Sequence, residues 1–164
     1  MRFLTLISFV CACMVTPVSA QAPDPQLIAP IQKFMDSFNK GDTAGAMATH
    51  AAGADLVIID EVQPFMWRGA KAFQAWSTAL DSASKQAGIT EQLVTISAPT
   101  RTESSGDSAY VIVPAVYTYK EKGVAMREAA QMTFVLKKGA SGWLIHGWTW
   151  TGPKPQRAAA PAKP

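Results

Sequence analysis

SAYVIVPAVYTYKEKGVAMREAAQMTFVLKKGASGWLIHGWTWT, residues 108–151, alternates apolar and polar side chains over three long segments. This alternation predicts strands at residues 108–120, 124–138 and 143–151, because successive side chains of a strand point to opposite faces. Only short turns containing glycine separate the segments. Turns of that length join antiparallel neighbours, so this part of the chain is predicted to form an antiparallel meander.

The segments that precede the meander complete the predicted fold class. Residues 89–98 predict one more strand, and the β-branched run DLVIIDE at residues 55–61 predicts another. Apolar residues follow the 3.6-residue helical period at residues 26–39 and 69–87, the latter with Phe73, Trp76 and Leu80, and the Ala-rich residues 43–50 predict a short helix between them. Helices come early and strands late. The pattern therefore predicts an α+β domain whose N-terminal helices pack on a strongly curved antiparallel sheet.

Three segments carry a resemblance to a known superfamily. They are FMDSFNKGDTAGAMATHAAGADLVIID (34–60), WRGAKAFQAW (67–76) and GWLIHGWTWTG (142–152). With them, residues 26–151 resemble the SnoaL-like, nuclear transport factor 2-like superfamily. The resemblance implies a cystatin-like cone in which the sheet wraps around the helices and leaves a pocket. It also implies a homodimer formed through a sheet face. Members of the superfamily include isomerases, cyclases, dehydratases and binding subunits, so the resemblance implies no single function.

The ends of the chain differ from its body. Residues 1–20 combine the basic start Met1–Arg2, an apolar run and the small residues Val18, Ser19 and Ala20. This pattern predicts a signal peptide cleaved after Ala20 and a periplasmic or secreted protein. The apolar run is shorter than the ~20 residues of a membrane span, so no membrane association is expected after cleavage. A lipoprotein signal with Cys13 as the lipidated residue is the alternative.

The predicted domain lies between two short flanks. Residues 21–25 form a lead-in, and residues 152–164, rich in Pro, Ala and Lys, are predicted to be a disordered tail. Between them, residues 26–151 hold eleven basic and eleven acidic side chains. A neutral body disfavours nucleic-acid binding.

The sequence predicts neither a metal nor a cofactor. Both cysteines, Cys11 and Cys13, lie in the predicted signal, and the chain has two histidines. Thiolate and histidine-rich metal sites are therefore not expected in the mature protein. No glycine-rich nucleotide-binding pattern is present.

Carboxylates in apolar rows are the first candidates for chemistry. Glu128 shares a predicted strand face with Val124, Met126, Ala130, Met132, Phe134 and Leu136. A buried carboxylate must be paired, protonated or open to a pocket, unless a β-bulge reverses the alternation. Asp60 follows Leu56 and Ile58 in the same way, unless the strand has already ended and Asp60 is solvated. A carboxylate in an apolar cone would have a raised pKa, which suits proton abstraction beside a carbonyl.

The remaining candidates are aromatic residues and one histidine. Tyr117 and Tyr119 share a face and offer phenol donors, and Trp67 precedes the long helix near the expected pocket rim. The predicted pocket wall consists of Trp67, Tyr117, Tyr119, Glu128 and Phe134. The candidate catalytic residues are Asp60, Glu128, Tyr117 and His50. His50 either caps a helix or faces the cone.

Trp148 and Trp150 share one face of the last strand. A pair of this kind is typical of a core or a subunit interface, and we expect it at the homodimer interface.

Three functions remain open from the sequence. The first is an exported small-molecule-binding domain with an apolar pocket, whose ligand is expected to be small and hydrophobic. The second is an acid/base isomerase, lyase or cyclase acting on a small hydrophobic carbonyl compound. The third is a non-catalytic dimeric interaction module.

Overall fold

The computed structural model describes residues 24–159. The predicted signal peptide with Cys11 and Cys13, the first three residues of the predicted lead-in and residues 160–164 lie outside this range. Within it the chain forms three helices and eight strands: α1 Pro25–Asn39, α2 Thr43–Met47, β1 Val57–Ile59, β2 Met66–Arg68, α3 Ala72–Ala87, β3 Ile89–Ile96, β4 Arg101–Ser105, β5 Ser108–Glu121, β6 Val124–Gly139, β7 Gly142–Thr151 and β8 Gln156–Arg157. None of the helices between residues 24 and 159 has the length and apolar character of a membrane span.

All eight strands belong to one sheet, in the order β2-β1-β7-β6-β5-β3, with β4 also on β5 and β8 on β6. The predicted meander of β5, β6 and β7 is confirmed, and its neighbours pair antiparallel. Unlike the strands of the meander, β1 and β7 pair in parallel, with Ile58 beside Trp148. The sheet is therefore mixed. Register shifts between Thr90 and Leu93 and at Val135 mark bulges, which bend strands.

The helices place their apolar residues against the sheet. In α1, Leu27, Ile31 and Phe34 are fully buried, as the 3.6-residue period predicts. The helix begins after Asp24, whose carboxylate accepts a hydrogen bond from Gln26 N at 2.9 Å. In the core the ring of Phe34 lies between α3 and β7, with Trp76 and Trp148 at centroid distances of 6.1 and 5.7 Å.

Asn39, the last residue of α1, holds the helix to the edge strand β3. Its side-chain amide donates to Val94 O at 2.8 Å and accepts from Val94 N at 2.8 Å. β3 pairs with β5 on one side only. The amide therefore satisfies backbone groups that an edge strand otherwise leaves unpaired.

Element boundaries differ from the sequence prediction around β1. The strand spans Val57–Ile59 instead of residues 55–61, and α3 begins at Ala72 instead of residue 69. Between them β2, which was not predicted, pairs antiparallel with β1. A three-residue strand is too short to show a period. β4 also was not predicted, because its sequence, RTESS, is wholly polar. Only its antiparallel pairing with β5 identifies it as a strand.

The prediction of a disordered tail from Gly152 is wrong for the part that the structure describes. Strand β8 pairs with Met126 and Arg127 of β6, and Ala158 N donates to Ala125 O at 2.9 Å. β6 is longer than β7, so its first residues offer backbone groups that β7 does not reach. The chain pairs with these residues of β6 only after Pro153 and Pro155, because proline lacks the backbone N–H group that donates hydrogen bonds between strands. Composition alone did not reveal this partner.

Candidate functional site

A cavity of about 260 Å³ lies between the helices and the inner face of the sheet. Side chains of α1, α3, β3, β5, β6 and β7 contribute to its walls. Most of them are aliphatic or aromatic: Phe34, Met35, Phe38, Val62, Trp76, Leu80, Ala83, Ala87, Ile89, Val94, Met132, Trp148 and Trp150. The polar wall residues include three carboxylates, Asp60, Glu61 and Glu128, and two phenols, Tyr117 and Tyr119.

Glu128 is 3% exposed and lies on the inner face of β6, in one row with Met132 and Phe134. The indole of Trp150 donates to its Oε1 at 2.7 Å. Burial raises the pKa of Glu128, the hydrogen bond from Trp150 opposes this, and the nearby Glu61 and Asp60 raise the pKa further. The carboxylate is thus buried, singly hydrogen-bonded and in contact with the cavity.

Asp60 reaches the cavity from the residue that follows β1. Its Oδ2 accepts from the indole Nε1 of Trp76 at 2.6 Å, and its Oδ1 accepts from Glu61 N at 2.7 Å. Burial raises the pKa of Asp60, while both hydrogen bonds lower it. Each of the two acids is therefore held by a tryptophan N–H, a neutral donor that supplies no compensating charge.

Tyr117 and Tyr119 line the cavity from β5, and Tyr117 lies directly opposite Glu128 in the sheet register. Their rings are 4.7 Å apart. The Tyr117 hydroxyl donates to Gln92 Oε1 at 2.6 Å rather than to a carboxylate. Burial, with Tyr119, Asp60 and Glu128 nearby, raises the pKa of Tyr117. The phenol is therefore neutral near pH 7.

His50 is buried but is not a wall residue of the cavity. Its Nε2 accepts from the indole of Trp148 at 3.0 Å, and its Nδ1 lies 3.0 Å from Ala46 O. Burial lowers the pKa of His50 from 6.5 to about 4. The ring is thus neutral and holds a wall residue of the cavity in place. The structure does not bring it together with Asp60, Tyr117 and Glu128.

Two residues predicted to line the pocket lie elsewhere. Phe134 is completely buried in the hydrophobic core, and Trp67, opposite Ile58 in the β1–β2 pair, is also a core residue. Neither lines the cavity. Alternation placed Phe134 on the correct face of β6. It could not show that this part of the face is covered by packed side chains.

The structure places Trp148 and Trp150, which are predicted at the homodimer interface, on the wall of the cavity. Both indoles line the cavity on the concave face of the sheet and donate to partners inside the protomer. Alternation shows that the two residues share a face but not whether that face is concave or convex. The homodimer itself stays a prediction.

Sequence reasoning missed two features of the site. Trp76 was assigned only to the apolar stripe of α3, although a buried indole N–H needs an acceptor, which Asp60 provides. Gly152 lies against Glu128 so closely that a Cβ atom there would overlap Oε1, and it would lie 2.9 Å from Ala130 Cβ. Among residues 24–159, no three His, Cys, Asp or Glu side chains are grouped to hold a metal.

Comparisons place this geometry among known folds. The sequence matches no family profile and no curated protein. Solved structures do match. A ketosteroid isomerase-like protein from Erwinia carotovora atroseptica is 21% identical, with TM-score 0.61, over 80% of this chain and 96% of that chain. A nuclear transport factor 2-like superfamily protein from Salmonella enterica is 13% identical, with TM-score 0.65, over 85% and 95%.

A third structure is a proposed scytalone dehydratase from Novosphingobium aromaticivorans. It is 8% identical, with TM-score 0.66, over 83% of this chain and 87% of that chain. At such identities the likeness concerns the backbone alone. The chain therefore has the α+β cone fold of the nuclear transport factor 2-like proteins, the fold that the resemblance implied.

Proposed function

We propose that the protein is an exported small-molecule-binding protein whose cone holds a small, largely apolar ligand. The observation that carries the proposal is the pair Asp60 and Glu128. Two acids from different elements enter one apolar cavity, and each is held by a tryptophan indole. Ligand pockets typically combine apolar walls with a few fixed polar groups. A core that served only packing would place apolar side chains at these positions.

The size of the cavity limits the ligand. Its volume of about 260 Å³ lies just below the lower end, ~300 Å³, of ordinary ligand pockets. A molecule with one ring and a short polar substituent suits this space. The aromatic walls favour such a ring, because Trp76, Trp148 and Trp150 supply large apolar faces.

The five tryptophans provide a test with an internal control. Trp76, Trp148 and Trp150 line the cavity, whereas Trp67 and Trp143 do not. Benzyl alcohol, a one-ring probe, should shift the NMR signals of the first three indole N–H groups and leave the other two in place. Shifts at all five, or at none, would contradict binding in the cavity.

A blocking variant sharpens the test. Ala83 lines the cavity from α3, whereas Ala75 of the same helix is exposed. Ala83→Phe should fill the cavity and abolish the shifts caused by benzyl alcohol. Ala75→Phe adds the same ring to the same helix and should leave the shifts unchanged.

The export part of the proposal is supported by residues 1–20 alone. Expression of the full chain in a Gram-negative host should yield a periplasmic protein whose mass is that of a chain beginning at Gln21. An N-terminus at Cys13 with an added lipid would favour the lipoprotein alternative instead. Cytoplasmic protein that retains Met1 would contradict export.

A second candidate function is acid/base catalysis on a small hydrophobic carbonyl compound, as in an isomerase, lyase or cyclase. The raised pKa of Asp60 and of Glu128 favours it, since one acid could be ionised and accept a proton while the other is protonated and donates one. Two of the structurally similar proteins have names of this kind, a ketosteroid isomerase-like protein and a proposed scytalone dehydratase.

Proton transfer can be tested without knowing the natural substrate. Cyclohexanone in deuterium oxide should exchange its α-protons faster with the protein than without it. Asp60→Asn and Glu128→Gln should each reduce that rate. Glu103→Gln, which changes an exposed acid on β4, should not. An exchange rate equal to that of buffer would exclude this activity for simple ketones.

A further inference from the structure

The ionisable groups on the cavity wall all have the same sign. Asp60, Glu61 and Glu128 are wall residues, and no lysine, arginine or histidine of the described chain is one. The salt bridges found within residues 24–159 join other acids to lysines or arginines. No cation of the described chain therefore neutralises the wall carboxylates by direct contact.

Glu128 keeps an unused acceptor. Only its Oε1 takes a hydrogen bond, from Trp150, and no residue within 24–159 donates to Oε2. The residue is 3% exposed and borders the cavity. A buried carboxylate in this position is stabilised by a proton or by a cation that reaches it through the cavity.

The remaining walls also suit a cation. Tyr117 and Trp150 lie at a centroid distance of 6.2 Å and nearly perpendicular, at 83°, and Tyr117 is close to Tyr119. Aromatic faces carry the negative part of the ring quadrupole and attract organic cations, most strongly where water is excluded. These rings stand beside Glu128, which lies opposite Tyr117 in the register.

We propose that the cavity selects small hydrophobic amines in their ammonium form over neutral or anionic molecules of the same shape. The proposal rests on the proposed ligand-binding function and names its ligand class. The ammonium group would donate to the free oxygen of Glu128 and lie against the tyrosine and tryptophan rings. The apolar body would occupy the space between α1, α3 and the sheet.

Three probes of similar size test whether the cavity prefers ammonium ligands. Benzylamine, benzyl alcohol and benzoate carry a cation, a neutral group and an anion on the same ring. At pH 8 benzylamine should bind about tenfold more tightly than benzyl alcohol, and benzoate should bind most weakly. Binding is measured by titration of the indole N–H signals of Trp76, Trp148 and Trp150.

Substitutions identify the side chains that cause the preference for benzylamine. Glu128→Gln keeps an oxygen for the Trp150 hydrogen bond but removes the charge, so it should reduce the preference for benzylamine to about twofold or less. Unchanged positions of the indole N–H signals of Trp67 and Trp143, which do not line the cavity, would show that the variant is folded. Glu103→Gln, on the surface, should retain the full preference.

The outcomes separate this inference from the proposed function. Benzyl alcohol bound as tightly as benzylamine would overturn the cation preference and leave the ligand-binding cavity intact. A preference for benzylamine that survives Glu128→Gln would overturn the assignment to this carboxylate. If none of the three probes shifts the cavity indoles at millimolar concentration, both proposals fail.

Discussion

The indole nitrogen of Trp148 donates a hydrogen bond to Nε2 of His50 across 3.0 Å in the interior of the protein. The bond requires an unprotonated Nε2, which fits the lowered pKa of His50. On the other side of the ring, Nδ1 lies 3.0 Å from Ala46 O, an acceptor that fixes the proton on Nδ1. The α2 region and a cavity wall are thereby joined through one neutral histidine.

The first prediction concerns stability in acid. The pKa of His50 is about 4 when folded and near 6.5 when unfolded, so the unfolded chain binds the extra proton between these values. The free energy of unfolding should therefore fall as the pH drops from 6.5 to 4, by up to about 3 kcal/mol. Urea unfolding at a series of pH values measures the loss.

His50→Gln isolates this effect, because glutamine can accept from Trp148 without titrating. The variant should lose less stability than the native chain between pH 6.5 and 4. The comparison is needed because Asp60 and Glu128, with raised pKa values, act in the opposite sense: their folded forms take up protons first and favour folding in acid. An identical pH profile for native protein and variant would contradict the role given to His50.

The second prediction concerns the hydrogen bond between Trp150 and Glu128. Trp150→Phe removes the donor that opposes the effect of burial, so the pKa of Glu128 should rise further. The loss of stability, about 1–3 kcal/mol for a buried charged acceptor left unpaired, should be largest at high pH and shrink as Glu128 becomes protonated. Carboxyl carbon NMR and urea unfolding follow the two quantities.

A double-mutant cycle separates this bond from the lost ring area. In a Glu128→Gln background, Trp150→Phe still reduces packing but no longer leaves a buried charge without its hydrogen-bond donor. The pH-dependent part of its cost should therefore disappear. The same pH dependence in both backgrounds would mean that another group titrates.

The alternation and the periodicity of apolar residues determine which features of this fold and site could be predicted from the sequence. They place Glu128 inward and Phe34 in the core, because these positions depend on residues a few places apart. They do not encode which face of a strand becomes concave, so Trp148 and Trp150 were assigned to an outer interface. The partners of Asp60 and His50, Trp76 and Trp148, are brought near by tertiary packing alone.

The third prediction concerns Asn39, which sequence reasoning treated only as the end of a helix. Asn39→Ala removes both hydrogen bonds to Val94 and should lower the free energy of unfolding by about 2 kcal/mol. Asn39→Asp keeps the acceptor but loses the donor to Val94 O, and should destabilise too. Lys40→Ala, the next residue and exposed, should change stability by no more than about 0.5 kcal/mol. Equal effects at Asn39 and Lys40 would contradict the anchoring role.

The last prediction concerns Gly152, where the chain leaves β7 and passes Glu128. A Cβ atom here would overlap Glu128 Oε1, so Gly152→Ala should displace the carboxylate or the tail at a cost of about 1–3 kcal/mol. The indole N–H signal of Trp150, which reports the bond to Glu128, should shift. Gly53→Ala is the matched control, since its Cβ meets nothing nearer than Asp55 N at 4.0 Å.

Combining Gly152→Ala with Glu128→Ala separates two causes of the damage. If the overlap with the carboxylate dominates, removing that carboxylate should restore part of the stability, while the contact with Ala130 remains. No recovery would mean that Ala130 or the backbone near Pro153 is responsible. Recovery would show that the space between residue 152 and the Glu128 carboxylate is what limits a side chain at this position.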